Sequence, residues 1–249
     1  MEIITIISRK GGTSKTTTAW ALGAGLMKKR KKVLFIDLDS QNNLTFGLNA
    51  SNEGLTAFEV LTGKVTATEA IQHTAQGDII AGKEDLATAD NVIDKTGKEY
   101  RLKEALESVK GYDYIVIDTP AQLGILTINA LTASNSCIIP VQADIYSLQG
   151  IGQLNETIEA VTKYCNKALT IKGILLTRFN GRAIISKDIQ ANLNEIAGEL
   201  NTKLFKTPIR ESIAVKEAQA MKQDLFTYAP RSNATKDYEA FINEFLKGK

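Results

Sequence analysis

The stretch Glu2-Ile3-Ile4-Thr5-Ile6-Ile7-Ser8-Arg9-Lys10-Gly11-Gly12-Thr13-Ser14-Lys15-Thr16-Thr17-Thr18 decides the fold. Its first six residues are an apolar, β-branched run of strand character. Two adjacent glycines follow, and Ala19 to Lys29 is a helix-compatible run. Strand, glycine loop and helix in this order form a phosphate-binding context. The glycines let backbone N–H groups converge on one point, and the helix N-terminus adds partial positive charge. Phosphate is the natural occupant, with Lys15 placed to bridge β- and γ-phosphate oxygens and the Thr16 hydroxyl to ligate Mg²⁺. A plain glycine turn with solvated lysines is the alternative, and the number of coinciding elements weighs against it.

Outward from this segment, short β-branched runs recur at Val33 to Ile36, Ile115 to Ile117, Cys137 to Val141 and Ile171 to Leu176. Their uninterrupted apolar character predicts strands buried on both faces. Helical patterns lie between them, for example Ile189, Leu193, Ile196 and Leu200 after a candidate N-cap at Ser186. Alternating strands and helices predict an α/β fold of P-loop NTPase type, a mostly parallel twisted sheet with helices on both faces. Ligands then sit beyond the carboxyl ends of the strands. Asn42 to about Lys110 is less regular and is expected to hold short helices and loops. No repeat, low-complexity tract or linker interrupts the chain, so residues 1–249 are expected to form one domain.

Acidic residues mark two of the strand ends. Val33 to Ile36 runs into Asp37-Leu38-Asp39-Ser40-Gln41-Asn42-Asn43, and residues two apart on an extended chain point the same way, so both carboxylates can face a γ-phosphate unless the turn there separates their roles. Ordinary capping after the strand is the other reading. Tyr114-Ile115-Val116-Ile117-Asp118 places a third carboxylate at a strand end, where it can hold a Mg²⁺-bound water. By itself that last signal is as compatible with a structural acid.

Taken together, Lys10-Gly11-Gly12-Thr13-Ser14-Lys15-Thr16, the Asp37 segment and Asp118-Thr119-Pro120-Ala121-Gln122-Leu123-Gly124 resemble the variant Walker A loop, the D-x-D-P-Q-x-N segment and the Walker B segment of the ParA/Soj partition ATPases, in the ParA/MinD superfamily. Ser14 stands where the family has glycine, Ser40 and Ala121 where it has proline. The resemblance implies an ATPase using ATP and Mg²⁺, with Lys10, Gly11, Gly12, Thr13, Ser14, Lys15, Thr16 and Thr17 around the nucleotide. It implies that Lys10 crosses to the partner's nucleotide in an ATP-bound homodimer, that Lys10, Lys15 and Asp39 are catalytic, with Asp39 positioning the attacking water, and that Thr16, Asp37 and Asp118 serve the metal. The resemblance also implies that adenine lies near Thr177 to Arg178 and Ile209 to Ser212, where Arg210 replaces a common proline and Ser212 a common asparagine. Structural roles for these two residues remain open. DNA bound without sequence preference and a ParB-like centromere-binding partner are further implications, with Arg182, Lys187, Lys216, Lys222 and Arg231 as candidate DNA contacts and solvated surface cations as the alternative.

Composition is consistent with this and adds limits. Thirty Lys plus Arg against 28 Asp plus Glu leave a charge of +2, so a nucleic-acid contact must come from a local patch. The basic run Lys28 to Lys32 ends the first helix and is expected to complement its dipole. Two cysteines without a CxxC pair and one histidine favour neither a disulfide framework nor a zinc site. No secretory leader and no N-terminal DNA-reading module are expected, and the cytoplasm, on the nucleoid, is the expected location. Two other readings stay open: a MinD-like membrane-associated positioning ATPase, using the spacing of Tyr238, Phe241, Ile242 and Phe245 as a lipid face, and a scaffold that binds ATP without hydrolysing it. For the C-terminal segment, docking onto the core is the favoured expectation, and no membrane partner is expected.

Overall fold

The computed structural model describes residues 1–181 and 184–247, with side chains for all of these except 145–149 and 184–187. All five predicted strands form: β1 (Glu2–Ile6), β2 (Val33–Asp37), β5 (Tyr114–Asp118), β6 (Ser136–Gln142) and β7 (Thr170–Thr177). Two more, β3 (Ile71–Thr74) and β4 (Gly77–Ile80), complete a seven-stranded sheet of order β3-β4-β2-β5-β1-β6-β7, parallel except for the β3–β4 pair. The stretch from Asn42 to Lys110, expected to hold only short helices and loops, therefore also carries a hairpin. Its turn is closed by the Thr74 hydroxyl, which donates to the Gly77 carbonyl and accepts from the Gln76 N–H, and by Gly77 at φ 126. β3 is only half buried and lies at the sheet's edge, so its residues lack the apolar run that marks the inner strands.

Alternation along the strands sorts the core into two layers. Ile4, Ile6, Val33, Phe35, Tyr114 and Val116 pack on one face against α1 (Lys15–Lys28), α2 (Asn43–Gly47), α9 (Ile213–Ala220), α10 (Leu225–Tyr228) and α11 (Asn233–Lys247). Leu34, Ile36, Ile115 and Ile117 face α3 (Ala57–Leu61), α4 (Ala89–Val92), α5 (Arg101–Leu106) and α6 (Ile125–Ala133), while Ile139, Val141, Ile174 and Leu176 face α7 (Ile145–Tyr164) and α8 (Ile184–Glu199). Helix α8 begins two residues before Ser186, so that serine lies in the first turn and is not the N-cap.

Small residues let α1 sit between sheet and helix. A side chain at Gly23 would overlap the Phe35 ring, and one at Gly25 would overlap Ile242 of α11. Tyr238, Phe241, Ile242 and Phe245 are each at most 1% exposed, and the Phe241 ring meets Phe205 edge to face at 4.8 Å. The apolar face of α11 is thus spent on the core, as favoured above. Lys28 pairs with Glu239 of α11 at 2.6 Å, which fits the structural reading of the basic run. Among the described residues no helix is long and apolar enough to cross a membrane.

Candidate functional site

Register brings the chemistry to one end of the sheet. Ile6 is the partner of Asp118 in the β1–β5 ladder and Asp37 of Asp118 in the β2–β5 ladder, so the glycine loop leaves β1 beside two adjacent strand-end carboxylates. The loop itself is braced from the other side. The Thr177 hydroxyl donates to the Thr13 carbonyl at 3.1 Å, the Gln142 amide donates to the Gly12 carbonyl, and the Thr13 hydroxyl donates to the Lys10 carbonyl. Gly12 has φ 78, which glycine adopts freely. Ser14 has φ 67 and ψ 29, the left-handed conformation, at the N-cap of α1 and with no capping bond from its side chain. The serine therefore carries the steric cost of the conformation without a compensating hydrogen bond.

A cleft of about 800 Å³ opens over this loop. Gly11, Gly12, Ser14, Lys15, Thr16 and Thr17 line its floor, Asp39 and residues 120–122 line one part of its wall, and Arg178, Arg210, Ser212 and Lys216 line another. Asp37 and Asp39 do not share a role, because the chain turns after β2. Asp39 lines the cleft, whereas Asp37 is fully buried, its Oδ1 accepting from the Asp39 N–H and its Oδ2 from the Thr45 N–H and hydroxyl. Burial raises the Asp37 carboxyl to about 6 despite these bonds.

Asp118 is the opposite case. It is 0% exposed, and neither carboxylate oxygen has a hydrogen-bond partner among the described residues. Burial pushes its carboxyl well above the usual range, the neighbouring Asp37 adds to this, and the nearby Thr16 hydroxyl and Lys15 ammonium only partly oppose it. Lys15 is itself 7% exposed. Burial lowers its ammonium, against the attraction of Asp118 and Asp39. A buried acid with idle acceptors beside a threonine hydroxyl is a donor set suited to a hard divalent cation, so Thr16 and Asp118 fit Mg²⁺ while the oxygens of Asp37 are already used.

The remaining predicted residues separate. Lys10 lies outside this cleft, against Gln122, Gly150 and Gln153, with its Nζ 2.7 Å from Asp144 Oδ2. Arg210 makes a bidentate pair with Asp237, and Arg178 pairs with Glu211. Lys216 and Arg231 are exposed, whereas Lys222 donates to Asn49 and lies 4.3 Å from the centre of the Phe46 ring. Arg182 and the side chain of Lys187 lie outside the described residues. Sequence reasoning missed Thr45, which holds Asp37 from eight residues on, and Gln142, Asp144 and Asp237, whose contacts join residues distant along the chain; an amide at the end of β6 and an acid just past it were the available signals for Gln142 and Asp144.

A parallel sheet with a glycine loop, an interior lysine and strand-end acids around one cleft defines an α/β nucleotide-binding protein of the P-loop class. Residues 1–171 match a family described as an AAA domain. The chain is 38% identical to the sporulation initiation inhibitor protein Soj of Bacillus subtilis, over 95% of each chain, and 33% identical to the chromosome partitioning protein ParA of Myxococcus xanthus, over 99% of this chain and 88% of that one. It superposes with a TM-score of 0.86 on a structure of cobyrinic acid a,c-diamide synthase from Mycobacterium smegmatis with bound ATP analog and magnesium, at 30% identity over 99% of this chain and 95% of that one. The chain belongs to the Soj/ParA family of partitioning ATPases.

Proposed function

We propose that residues 1–249 act as one ATP-switched domain: ATP and Mg²⁺ close a homodimer, the dimer holds DNA without sequence preference, and hydrolysis stimulated by a ParB-like partner releases it. The arrangement around Asp118 carries this reading. A buried carboxylate with two unused oxygens, at the end of a strand next to Thr16 and Lys15, is costly to maintain unless a cation is taken up there. Mg²⁺ would be held by Thr16 and Asp118, and when bound it supplies positive charge to the phosphate oxygens. Lys15 and the N–H groups of the loop bind the phosphates, Thr17 stands at the same helix N-terminus, and Asp39 in the cleft wall orients water. Asp37 acts behind them by fixing Asp39 and Thr45.

Lys10 supports the dimer reading, since it lies at the edge of the loop and outside its own cleft, in a half-buried pair with Asp144. Lys216 of α9 lines the nucleotide cleft while remaining exposed, which makes the candidate DNA surface continuous with the site that switches it. The location follows as cytoplasmic, on the nucleoid. The membrane-positioning reading loses its support, because the face it would use is packed in the core. Replacing Asp39 with alanine tests the hydrolytic assignment: ATP affinity stays within a few fold while turnover falls by about 100-fold or more. Wild-type turnover in that variant removes Asp39 from the reaction.

A further inference from the structure

We propose that Asp90 is a positioning residue for hydrolysis: by capping α6 it fixes the loop of residues 119–124, which carries part of the cleft wall. The inference rests on the cleft being the site of ATP hydrolysis and deepens that reading. The loop starts immediately after Asp118 and ends where α6 begins at Ile125. Pro120, Ala121 and Gln122 line the nucleotide cleft, and Gln122 also lines the recess that holds Lys10. These residues form neither helix nor strand, so the shape of the wall depends on what holds the loop from outside.

Three contacts hold it. At its start the fully buried Thr119 hydroxyl donates to the Ile6 carbonyl at 2.9 Å. In its middle the Gln122 carbonyl accepts from the Thr127 hydroxyl at 2.6 Å. At its end Gly124 occupies the N-cap position of α6 and has no side chain with which to cap the helix. Asp90 of α4 supplies the acceptor instead, its Oδ1 taking the Ile125 N–H at 2.8 Å from 35 residues away. A carboxylate in that place satisfies a helix-end donor and meets the positive end of the helix dipole.

Gly124 points to the same contact independently. Its φ of −91 and ψ of −164 are extended backbone that any residue adopts, so conformation does not call for glycine. A Cβ there would lie 2.5 Å from Asp90 Oδ2 and 2.9 Å from Oδ1, so the glycine makes room for the carboxylate. The body of α6 is held without Asp90. Asn129, fully buried, accepts from the Leu102 N–H and donates to the Lys98 carbonyl, and Ile125, Leu126 and Ala130 pack in the core. Losing Asp90 therefore loosens the end of the loop and leaves the helix in place. Asp90 itself does not line the cleft, so its effect falls on the placement of the wall around the reacting phosphate and not on the binding of ATP.

The test measures kcat for ATP hydrolysis, and by calorimetry the affinity and stoichiometry for a non-hydrolysable ATP analog, in the full chain. The variants are Asp90→Ala, Asp90→Asn, Gly124→Ala and the Asp90→Ala/Gly124→Ala double variant. Asp90→Ala lowers kcat about 3- to 30-fold with analog affinity within about twofold, because a small displacement of the reacting geometry costs rate before it costs binding. Asp90→Asn keeps kcat within about twofold of wild type, since its amide oxygen still accepts from the Ile125 N–H. Gly124→Ala slows the reaction as Asp90→Ala does, its methyl displacing the carboxylate, and the double variant is no slower than Asp90→Ala alone. Full analog stoichiometry shows that a variant is folded, and if Asp90→Ala fails that check Gly124→Ala decides by itself. Wild-type or raised kcat in either single alanine variant, an asparagine variant as slow as the alanine, additive losses, or an equal loss of kcat and affinity overturns the proposal. A wild-type chain that binds the analog but does not turn over ATP overturns instead the hydrolytic reading beneath it.

Discussion

Replacing Ser14 with glycine should stabilise the nucleotide-free protein. Ser14 holds φ 67 and ψ 29, and its side chain makes no capping bond that the substitution would remove. A left-handed conformation costs a residue with a Cβ about 1–2 kcal/mol. Glycine escapes this but brings a more flexible unfolded chain, which returns about 0.4–1 kcal/mol. The net gain is about 0.5–1 kcal/mol, and for a chain of this size that raises the melting temperature by about 1–4 °C. Urea unfolding and thermal melts without nucleotide measure it. Ser14→Ala is the control: it keeps the Cβ and loses only the hydroxyl, so it should stay within about 0.5 kcal/mol of wild type. A Ser14→Gly protein that melts below wild type, or with Ser14→Ala, refutes the steric argument.

Asp37 predicts an unusual pH response. Its folded-state carboxyl is raised from 3.8 to about 6, so the folded protein takes up a proton that the unfolded chain does not hold between those values. This group's contribution therefore makes the apo-protein more stable as pH falls through 6 toward 4, by up to about 3 kcal/mol, and less stable as pH rises. Comparing urea unfolding of wild type and Asp37→Asn at pH 5 and pH 7 isolates it: the gain on acidification should shrink in the variant, and an equal gain in both rejects the assignment. Gly23→Ala should destabilise by about 1–3 kcal/mol because the new methyl overlaps the buried Phe35 ring. A neutral or stabilising effect in the same assay shows that α1 and the sheet are less closely packed.

The inner strands were legible because a strand buried on both faces must be apolar throughout, as Val33 to Ile36 and Ile115 to Ile117 are. The β3–β4 hairpin was not, since Gln72 and His73 lie on a half-exposed edge and follow no burial constraint strong enough to read. The loop and its acids were recognisable from local order alone. Period-two geometry left Asp37 and Asp39 together unless the turn separated them, and the turn after β2 does so, sending one into the core and the other to the cleft; the hydrogen bonds by which Asp37 holds Asp39 and Thr45 were not legible. The Asp237 clamp on Arg210 depends on α11 returning to the end of β7, a contact across 27 residues that neither residue signals alone.

The central claim, an ATP-driven switch between monomer and dimer, is tested most directly by analytical ultracentrifugation of the Asp39→Ala chain with ATP and Mg²⁺, with ADP, and with Lys10→Ala added. The account predicts a dimer with ATP and Mg²⁺ alone, a monomer with ADP, and a monomer whenever Lys10 is absent. A chain that stays monomeric with ATP and Mg²⁺, or forms the same dimer without Lys10, contradicts it.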